Sequence, residues 1–315
     1  IESIEFRKGP YHASVGDFSS TGSSHLSTFR ILPESILKLG IGQDGHRQLL
    51  LADSVSVGSG SLLYAAQGHV YDGPWVDIRE DLQRVNGVLR YSQQSSSGSE
   101  WDVMLMGYDA SWNSPDQIAQ RAIEGGLVDR LGSLDPTIGG DTSRYSVSGS
   151  LFHSFDGDRQ LHAHAYAIDY ELDLFSNFTY FLDDPVNGDQ FEQVDRRVVS
   201  GGDVSYRWAG SNRFDTTYTI GASLRHDDIR EVGLFRTQDQ VRLATVRSDS
   251  VKQSSMGVYV QAETHWNNRW RTRFGLRADY YDFSVESSLP ANSGNTNDAI
   301  LAPKLSVIYA IDDQS

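Results

Sequence analysis

The sequence contains no cysteine among its 315 residues. This absence excludes thiol catalysis, cysteine-ligated zinc and a disulfide framework. The chain also has no run that approaches the roughly 18 to 20 apolar residues of a membrane-spanning helix, and its mean hydropathy is -0.42. A membrane β-barrel escapes this test, because its strands need only about 9 to 11 residues and alternate polar with apolar side chains.

Basic residues are in the minority. Lysine and arginine number 27 against 42 aspartates and glutamates, which gives a net charge of -15. Because phosphate binding needs a clustered basic surface, this balance argues against a nucleic-acid partner. Glycine and aromatic residues are abundant instead, with 29 glycines, 15 tyrosines and 6 tryptophans. This composition favours an all-β protein.

The clearest pattern is a hairpin over residues 257–281. Side chains alternate from Gly257 to Trp266, and after the Asn267-Asn268 turn they alternate again from Trp270. One face is apolar with aromatic ends, and the other carries Glu263, Arg271, Arg273 and Arg277. If the apolar face contacts lipid, a slip of one residue would place each arginine in the bilayer at about 2 to 4 kcal/mol near the midplane. The register is therefore well determined.

Similar alternation predicts about twelve antiparallel strands in up-and-down order. They lie at roughly 36–42, 46–54, 60–70, 82–94, 100–111, 143–155, 158–172, 197–208, 213–226, 251–266, 269–284 and 300–312. From the third strand onward, short turns alternate with long loops at roughly 71–81, 112–142, 173–196, 227–250 and 285–299. Up-and-down order places all short turns at one end of the sheet, which is typical of outer-membrane barrels with short periplasmic turns. Aromatic residues beside the short turns fit an interfacial girdle: Trp101, Phe155, Trp208, Phe214, Trp266 and Trp270.

Two features of this pattern are less regular. In strand 158–172 the face bearing His162 and His164 also carries apolar residues, so the sequence leaves open which face contacts lipid. The long loop after Trp112 predicts one helix, with Ser114 as its N-cap and Gly125-Gly126 as its stop.

Residues 1–33 read as a short strand, a turn and a coil. The segment Ile1-Glu-Ser-Ile-Glu-Phe-Arg-Lys-Gly-Pro10, followed by Gly16, resembles the end of the plug domain in TonB-dependent outer-membrane receptors. The strands that follow resemble the first part of their barrel, including the loop helix over residues 116–121. Val15-Gly16 and Thr21-Gly22-Ser23-Ser24 depart from the family pattern.

The resemblance implies a fragment in which residues 1–33 end the plug domain and residues 34–315 begin the outer-membrane β-barrel. The opening Ile1-Glu2-Ser3-Ile4 has neither an initiating Met nor a signal peptide, which also suggests an internal fragment. Barrels of this transporter type have about 22 strands. A chain with about twelve strands is therefore expected to expose two open sheet edges.

The resemblance also implies a function, a location and partners. The expected function is TonB-dependent uptake of a scarce ligand, such as an iron-siderophore, across the outer membrane of a Gram-negative bacterium. The expected partners are outer-membrane lipid, the TonB energy-transducing complex, acting through a segment before this chain, and the small-molecule ligand. By family analogy Gln117 and Arg121 in the loop helix are candidate ligand contacts. The residues expected to face a plugged lumen are Arg225, Glu263, Arg271, Arg273 and Arg277.

No catalytic, metal or cofactor site is predicted. The sequence has no G-x-S-x-G elbow, and His162 and His164 lack an evident third ligand. The letters of G-x-G-x-x-G occur over residues 40–45, but a strand rather than a helix is predicted to follow them, which argues against a nucleotide site. A passive porin or adhesin barrel and a soluble, secreted carbohydrate-binding β-protein remain the alternatives, with an outer-membrane hydrolase as a weaker third.

Overall fold

The computed structural model describes residues 1–16, 19–115, 117–155, 158–211 and 214–311. A two-stranded sheet pairs β1 (Ser3–Lys8) with β2 (Gly22–Ser27). A twelve-stranded sheet follows, in which each strand pairs antiparallel with its neighbours in sequence. Its strands are β3 (Ile36–Ile41), β4 (Arg47–Val57), β5 (Gly60–Tyr71), β6 (Leu82–Gln94), β7 (Ser99–Asn113), β8 (Gly139–Phe155), β9 (Arg159–Ser176), β10 (Phe191–Ala209), β11 (Asp215–Gln238), β12 (Val241–His265), β13 (Trp270–Ser287) and β14 (Gly294–Tyr309).

The all-β class and the twelve up-and-down strands predicted from the sequence are confirmed. Strand bounds agree within a few residues at the short-turn end of the sheet. The edge strands β3 and β14 each pair on one side only within the described residues, as expected for a partial barrel.

The prediction of a long loop over residues 227–250 is wrong. β11 and β12 continue through it, and they meet at the tight turn Asp239-Gln240, where both residues have positive φ. Bulges in this pairing, one of them between Ile229 and Val232, shift the alternation and hide it from a strict period-two pattern. The loop expected at 285–299 shrinks in the same way to residues 288–293, which include a short 3-10 turn, Pro290–Asn292.

The predicted loop helix is correct at its end but not at its start. Helix α1 spans only Gln120–Glu124, and Ala119 precedes it without a side-chain cap. The Ser114 N–H donates to the carbonyl of Ile138 at 3.1 Å. This bond extends the β7–β8 ladder to Ser114, and the helix begins six residues later. Residues 117–119 of the predicted helix are not helical, and Asp116 lies outside the described residues. The coil expected after the turn in residues 1–33 is also wrong over Gly22–Ser27, where β2 forms.

The two faces of the large sheet differ in what covers them. We call the face that touches residues 12–32 the inner face. There the Ala13 N–H donates to Gln261 Oε1 at 3.1 Å, Arg90 donates to the Thr28 carbonyl at 2.6 Å, and the Leu32 N–H donates to Ser54 Oγ at 3.0 Å. Large apolar side chains are exposed on the opposite, outer face, for example Ile220, Val260 and Leu305. This inversion of the usual burial pattern is what a lipid-facing wall requires.

The same strand register shows which face of β9 is the inner face. His162 and His164 lie 3.7 and 3.6 Å from the Asp203 carboxylate, and Asp203 is on the inner face. The outer face of β9 therefore carries Leu161, Ala163, Ala165 and Ala167.

Aromatic side chains form a row on the outer face beside the short turns. Ring centroids are 5.4 Å apart for Tyr91 and Trp101, 4.7 Å for Phe214 and Trp266, and 4.7 Å for Trp270 and Tyr309. Such rows mark the membrane interface of outer-membrane barrels. No helix in the described ranges is long and apolar enough to cross a membrane.

Candidate functional site

Three cations on the inner face contact residues 12–15, two of them through backbone carbonyls and one through the His12 ring. We call Arg273, Arg277 and Lys304 the inner-face cation cluster. Period-two geometry places both arginines on one side of β13, and β14 brings Lys304 opposite Gly275. Lys304 Nζ donates to the carbonyl oxygens of His12 and Val15, at 3.0 and 2.9 Å.

The two arginines add contacts to the same segment. Arg277 donates to the Ala13 carbonyl at 3.4 Å, and an Arg273 nitrogen lies 3.0 Å from His12 Nε2. A β-carbon at Gly275 would stand 2.8 Å from that of Ala13, so glycine permits this close approach. Burial, followed by the charge of Arg273, lowers the pKa of His12 below its ordinary value.

Carboxylates on the wall balance the cluster. Arg273 donates to Glu263 at 2.8 Å, and Arg277 donates to Asp279 at 2.8 Å. Arg277 and Asp279 keep only 4% and 7% of their surface exposed. Because a buried ion is costly to leave unpaired, these carboxylates hold the two arginines in place beneath the N-terminal segment.

The residues expected to face the lumen are distributed along this inner face. Glu263, Arg271 and Arg273 come together, with Arg271 3.5 Å from Glu263. Arg277 lies four residues along β13 from Arg273, and Arg225 pairs with Asp227 at 2.8 Å.

A cavity of about 750 Å³ separates the N-terminal segment from the wall between β9 and β13. Arg225 and Arg277 both line it. Its other side chains are mostly hydroxylic or ionisable, including Ser23, Ser205, Ser223, Ser255, Tyr259 and Asp203. The lining is polar enough to hold water or a hydrated solute.

The two candidate ligand contacts lie elsewhere, at the long-loop end of the sheet. Gln117 is exposed and precedes α1, and its carbonyl accepts a hydrogen bond from Tyr180 Oη at 2.9 Å. Arg121 is exposed on α1, where Ala122 is the buried anchor. Neither residue reaches the inner-face cation cluster.

Buried polar groups tie the long loops together. Gln190 is only 3% exposed, and its amide donates to Asp135 at 3.0 Å and to Thr137 at 2.7 Å. Its Oε1 accepts from Thr237 and from the Gln240 N–H, both at 2.9 Å. We call Asp135, Thr137, Gln190, Thr237 and Gln240 the loop knot. It joins the β7–β8 loop, the β9–β10 loop and the β11–β12 tip.

Asp135 is the charged centre of the loop knot. Partial burial acts to raise its pKa, but hydrogen bonds from Asn177, Thr137 and Gln190 outweigh burial and hold the pKa below its ordinary value. The carboxylate is therefore a stable acceptor for these neutral donors at neutral pH.

Sequence reasoning missed Lys304, His12, Asp135 and Gln190. Lys304 had a weak signal, since it is the one cation on the alternating segment from Ala302 to Tyr309. The others have no local signal, because their partners lie far away in sequence.

The family model described as TonB dependent receptor-like, beta-barrel matches residues 62–315. The fold is also similar to solved structures of the same architecture. The unliganded ferric citrate transporter FecA superposes with a TM-score of 0.76 at 12% identity, over 98% of this chain and 47% of that one. The ferric yersiniabactin uptake receptor FyuA from Yersinia pestis gives 0.70 at 13% identity, over 98% and 50%.

A third structure, the alcaligin receptor FauA from Bordetella pertussis, gives a TM-score of 0.69 at 12% identity, over 98% of this chain and 47% of that one. The chain thus spans about half the length of these solved structures and matches part of their barrel. A comparison with curated protein sequences finds no match.

Proposed function

This chain belongs to the TonB-dependent receptor β-barrel family, and on that premise we propose that it is part of an outer-membrane receptor for energised uptake of a scarce small-molecule ligand. Residues 1–33 would be the end of the plug domain, and residues 34–315 the first part of the barrel. The observation that carries the proposal is the seating of residues 12–15 on the inner-face cation cluster.

This contact favours a plugged receptor over a passive porin. An open pore has a water-filled lumen, whereas here chain segments cover the inner face near β12 and β13 and again near β6. Among the described residues, the seating also uses backbone carbonyls and the His12 ring rather than plug carboxylates. Such contacts can separate without leaving a buried acidic group on the plug, which suits a domain that must rearrange.

The exposed outer face argues against a soluble carbohydrate-binding protein. Apolar side chains cover its centre and aromatic rings line the short-turn end. We propose that outer-membrane lipid of a Gram-negative bacterium covers this face. The family consists of receptors and transporters, and we propose that this chain likewise carries no catalytic activity.

We propose that the ligand is an iron-siderophore or a similar metal complex. Solved structures similar to this fold include a ferric citrate transporter, a ferric yersiniabactin uptake receptor and a copper transporter. In this chain the long-loop end would capture the ligand, with Gln117 and Arg121 as contacts. The TonB complex would then supply energy through the plug, by way of a segment before this chain.

Uptake measurements test the proposal. The full-length gene is restored to a deletion strain, and uptake of radiolabelled iron is followed with ferric citrate, a ferric catecholate and a ferric hydroxamate in turn. We expect at least one probe to enter only when both the receptor and TonB are intact. Equal uptake after TonB is disrupted would support a passive barrel, and no receptor-dependent uptake of any probe would contradict the iron-complex proposal.

A double variant tests whether the two candidate residues contact the ligand. Replacing Gln117 and Arg121 together by alanine should weaken binding of the transported probe while barrel assembly is unchanged, because both side chains are exposed. Ser97→Ala in the opposite, short-turn end is the matched control. Unchanged affinity in the double variant would remove these residues from the proposed contact.

A further inference from the structure

A groove crosses the outer face between β10 and β13, with a volume of about 660 Å³. Strand register explains its shape. Gly202 pairs with Leu224, Leu224 with Met256, and Met256 with Tyr280, so these residues form one row across four strands. The glycine leaves a gap beside three large, exposed apolar side chains, of which Leu224 is 60% exposed. We call this the outer-face groove.

The groove continues toward the short-turn end. A second depression of about 480 Å³ shares Val204 and Ala222 with the first and extends past Val260. From Met256 to Val260 the strand advances roughly 13 Å at about 3.3 Å per residue. The hydrocarbon of one leaflet is about 15 Å thick, half of a core of about 30 Å. The two depressions together therefore span most of the thickness of one leaflet, along which an acyl chain lies.

The row above the groove is polar. His226, Ser254 and Asp282 succeed Leu224, Met256 and Tyr280 on the same face, and His226 Nδ1 lies 2.9 Å from Ser254 Oγ. His226 and Ser254 also line the groove itself. The change from apolar to polar rows marks the edge of the hydrocarbon on the long-loop side, which is the outer leaflet in the proposed orientation.

A cation, Lys252, lies one row beyond this polar row, toward the long-loop end of the sheet. Lys252 is exposed, and within the described ranges it makes no ion pair, although Asp228 is its register partner on β11. Arg230 on the same face is already paired with Asp169 and Glu171. Lys252 can therefore approach a negative headgroup above the groove.

We propose that the outer-face groove binds a phosphorylated glycolipid of the outer leaflet, with one acyl chain in the groove and a phosphate at Lys252 and His226. The site rests on the proposed outer-membrane location but not on ligand uptake. A zwitterionic lipid would fill the groove without using Lys252, and a second copy of the chain would cover it without a phosphate requirement.

Native mass spectrometry of the full-length protein in detergent tests this site, with lipid A and phosphatidylethanolamine as probes and magnesium present. Lipid A should bind more tightly than phosphatidylethanolamine. Lys252→Gln should weaken lipid A binding about fivefold, the effect of one basic residue near an anionic lipid surface. Ala222→Leu should weaken both lipids because it fills the groove, whereas Ala262→Leu, on the same outer face but outside the groove, should weaken neither.

Several outcomes would overturn the proposal. They are equal binding of the two lipids, unchanged lipid A binding in Lys252→Gln, equal losses in Ala222→Leu and Ala262→Leu, or a dimer mass that disappears with Ala222→Leu. Iron uptake is measured on the same variants. A variant that loses lipid binding but keeps iron uptake supports a lipid site separate from uptake. If the wild-type protein takes up no iron, that result contradicts the proposed function and leaves the lipid site unaffected.

Discussion

Gly16 lies against the guanidinium of Arg277 so closely that a β-carbon at residue 16 would overlap it. Arg277 cannot easily withdraw, because it is buried and donates to Asp279 and to Ser223 at 2.9 Å. The absence of a side chain at residue 16 is therefore part of how the N-terminal segment docks on the wall.

Gly16→Ala should destabilise this docking by about 1 to 3 kcal/mol, the usual cost of overpacking a closed site. The measurement is the temperature at which the full-length barrel loses its folded, fast-migrating form on SDS gels. Gly68→Ala is the control, since nothing lies within 4 Å of a β-carbon there. Equal shifts for the two variants would show that the contact does not limit stability.

Ile220→Arg should impair barrel assembly strongly. Ile220 is exposed in the middle of the apolar stretch of β11, and an arginine on the lipid face near the midplane costs about 2 to 4 kcal/mol. Thr217→Arg on the inner face, opposite Glu263, should assemble nearly normally. The yield of heat-modifiable protein in outer-membrane fractions compares them, and equal yields would mean that the faces are assigned wrongly.

Gln190→Ala should loosen the long loops without unfolding the barrel. The change leaves buried donors and acceptors of the loop knot without partners, at about 1 to 3 kcal/mol. Hydrogen exchange should rise in peptides covering residues 133–138 and 177–190. Asn187→Ala is the control in the same loop, because its amide bonds to Asp184 at an exposed site. A rise confined to residues around 190 would show that the knot does not couple the loops.

Acidification should loosen the seating of residues 12–15. The pKa of His12 is lowered in the folded protein from an ordinary value of 6.5. Its contribution to stability is therefore present above about pH 6.5 and is lost as the pH falls through the lowered value. A proton on Nε2 also removes the acceptor facing Arg273. Hydrogen exchange of residues 9–16, corrected for its intrinsic pH dependence, should rise below pH 6.5 in wild type.

The same experiment has two controls. His12→Gln should lose this pH dependence, whereas His25→Gln, at an exposed position on β2, should keep it. An unchanged profile in His12→Gln would assign the acid response to other groups.

The hairpin over residues 257–281 shows what period-two alternation of side chains can predict. The Asn267-Asn268 turn and the alternation on both sides predict its pairing, and the structure confirms it, for example in Val258 opposite Ala278. The same reasoning fails for β11 and β12 above Asp227. Bulges there interrupt the alternation, and charged residues occupy both faces of strands that extend beyond the apolar band.

The sites were less accessible to sequence reasoning than the strands. The face of each inner arginine follows from alternation, but its partner does not. Lys304 reaches the carbonyl of His12 across 292 residues of sequence, and Gln240 reaches that of Thr137 across 103. Backbone carbonyls carry no side-chain signature, so such partners cannot be read from residue type.

By itself the sequence determined the all-β class, the up-and-down order, the positions of the short turns at one end of the sheet and the polarity of most strand faces. These properties follow from local alternation and turn residues, which act over a few neighbouring positions. Only the tertiary structure decided where the N-terminal segment docks, how the loop knot forms and that a groove opens beside Gly202. Each of these depends on strand register and on contacts between distant segments, which exist only once the sheet is assembled.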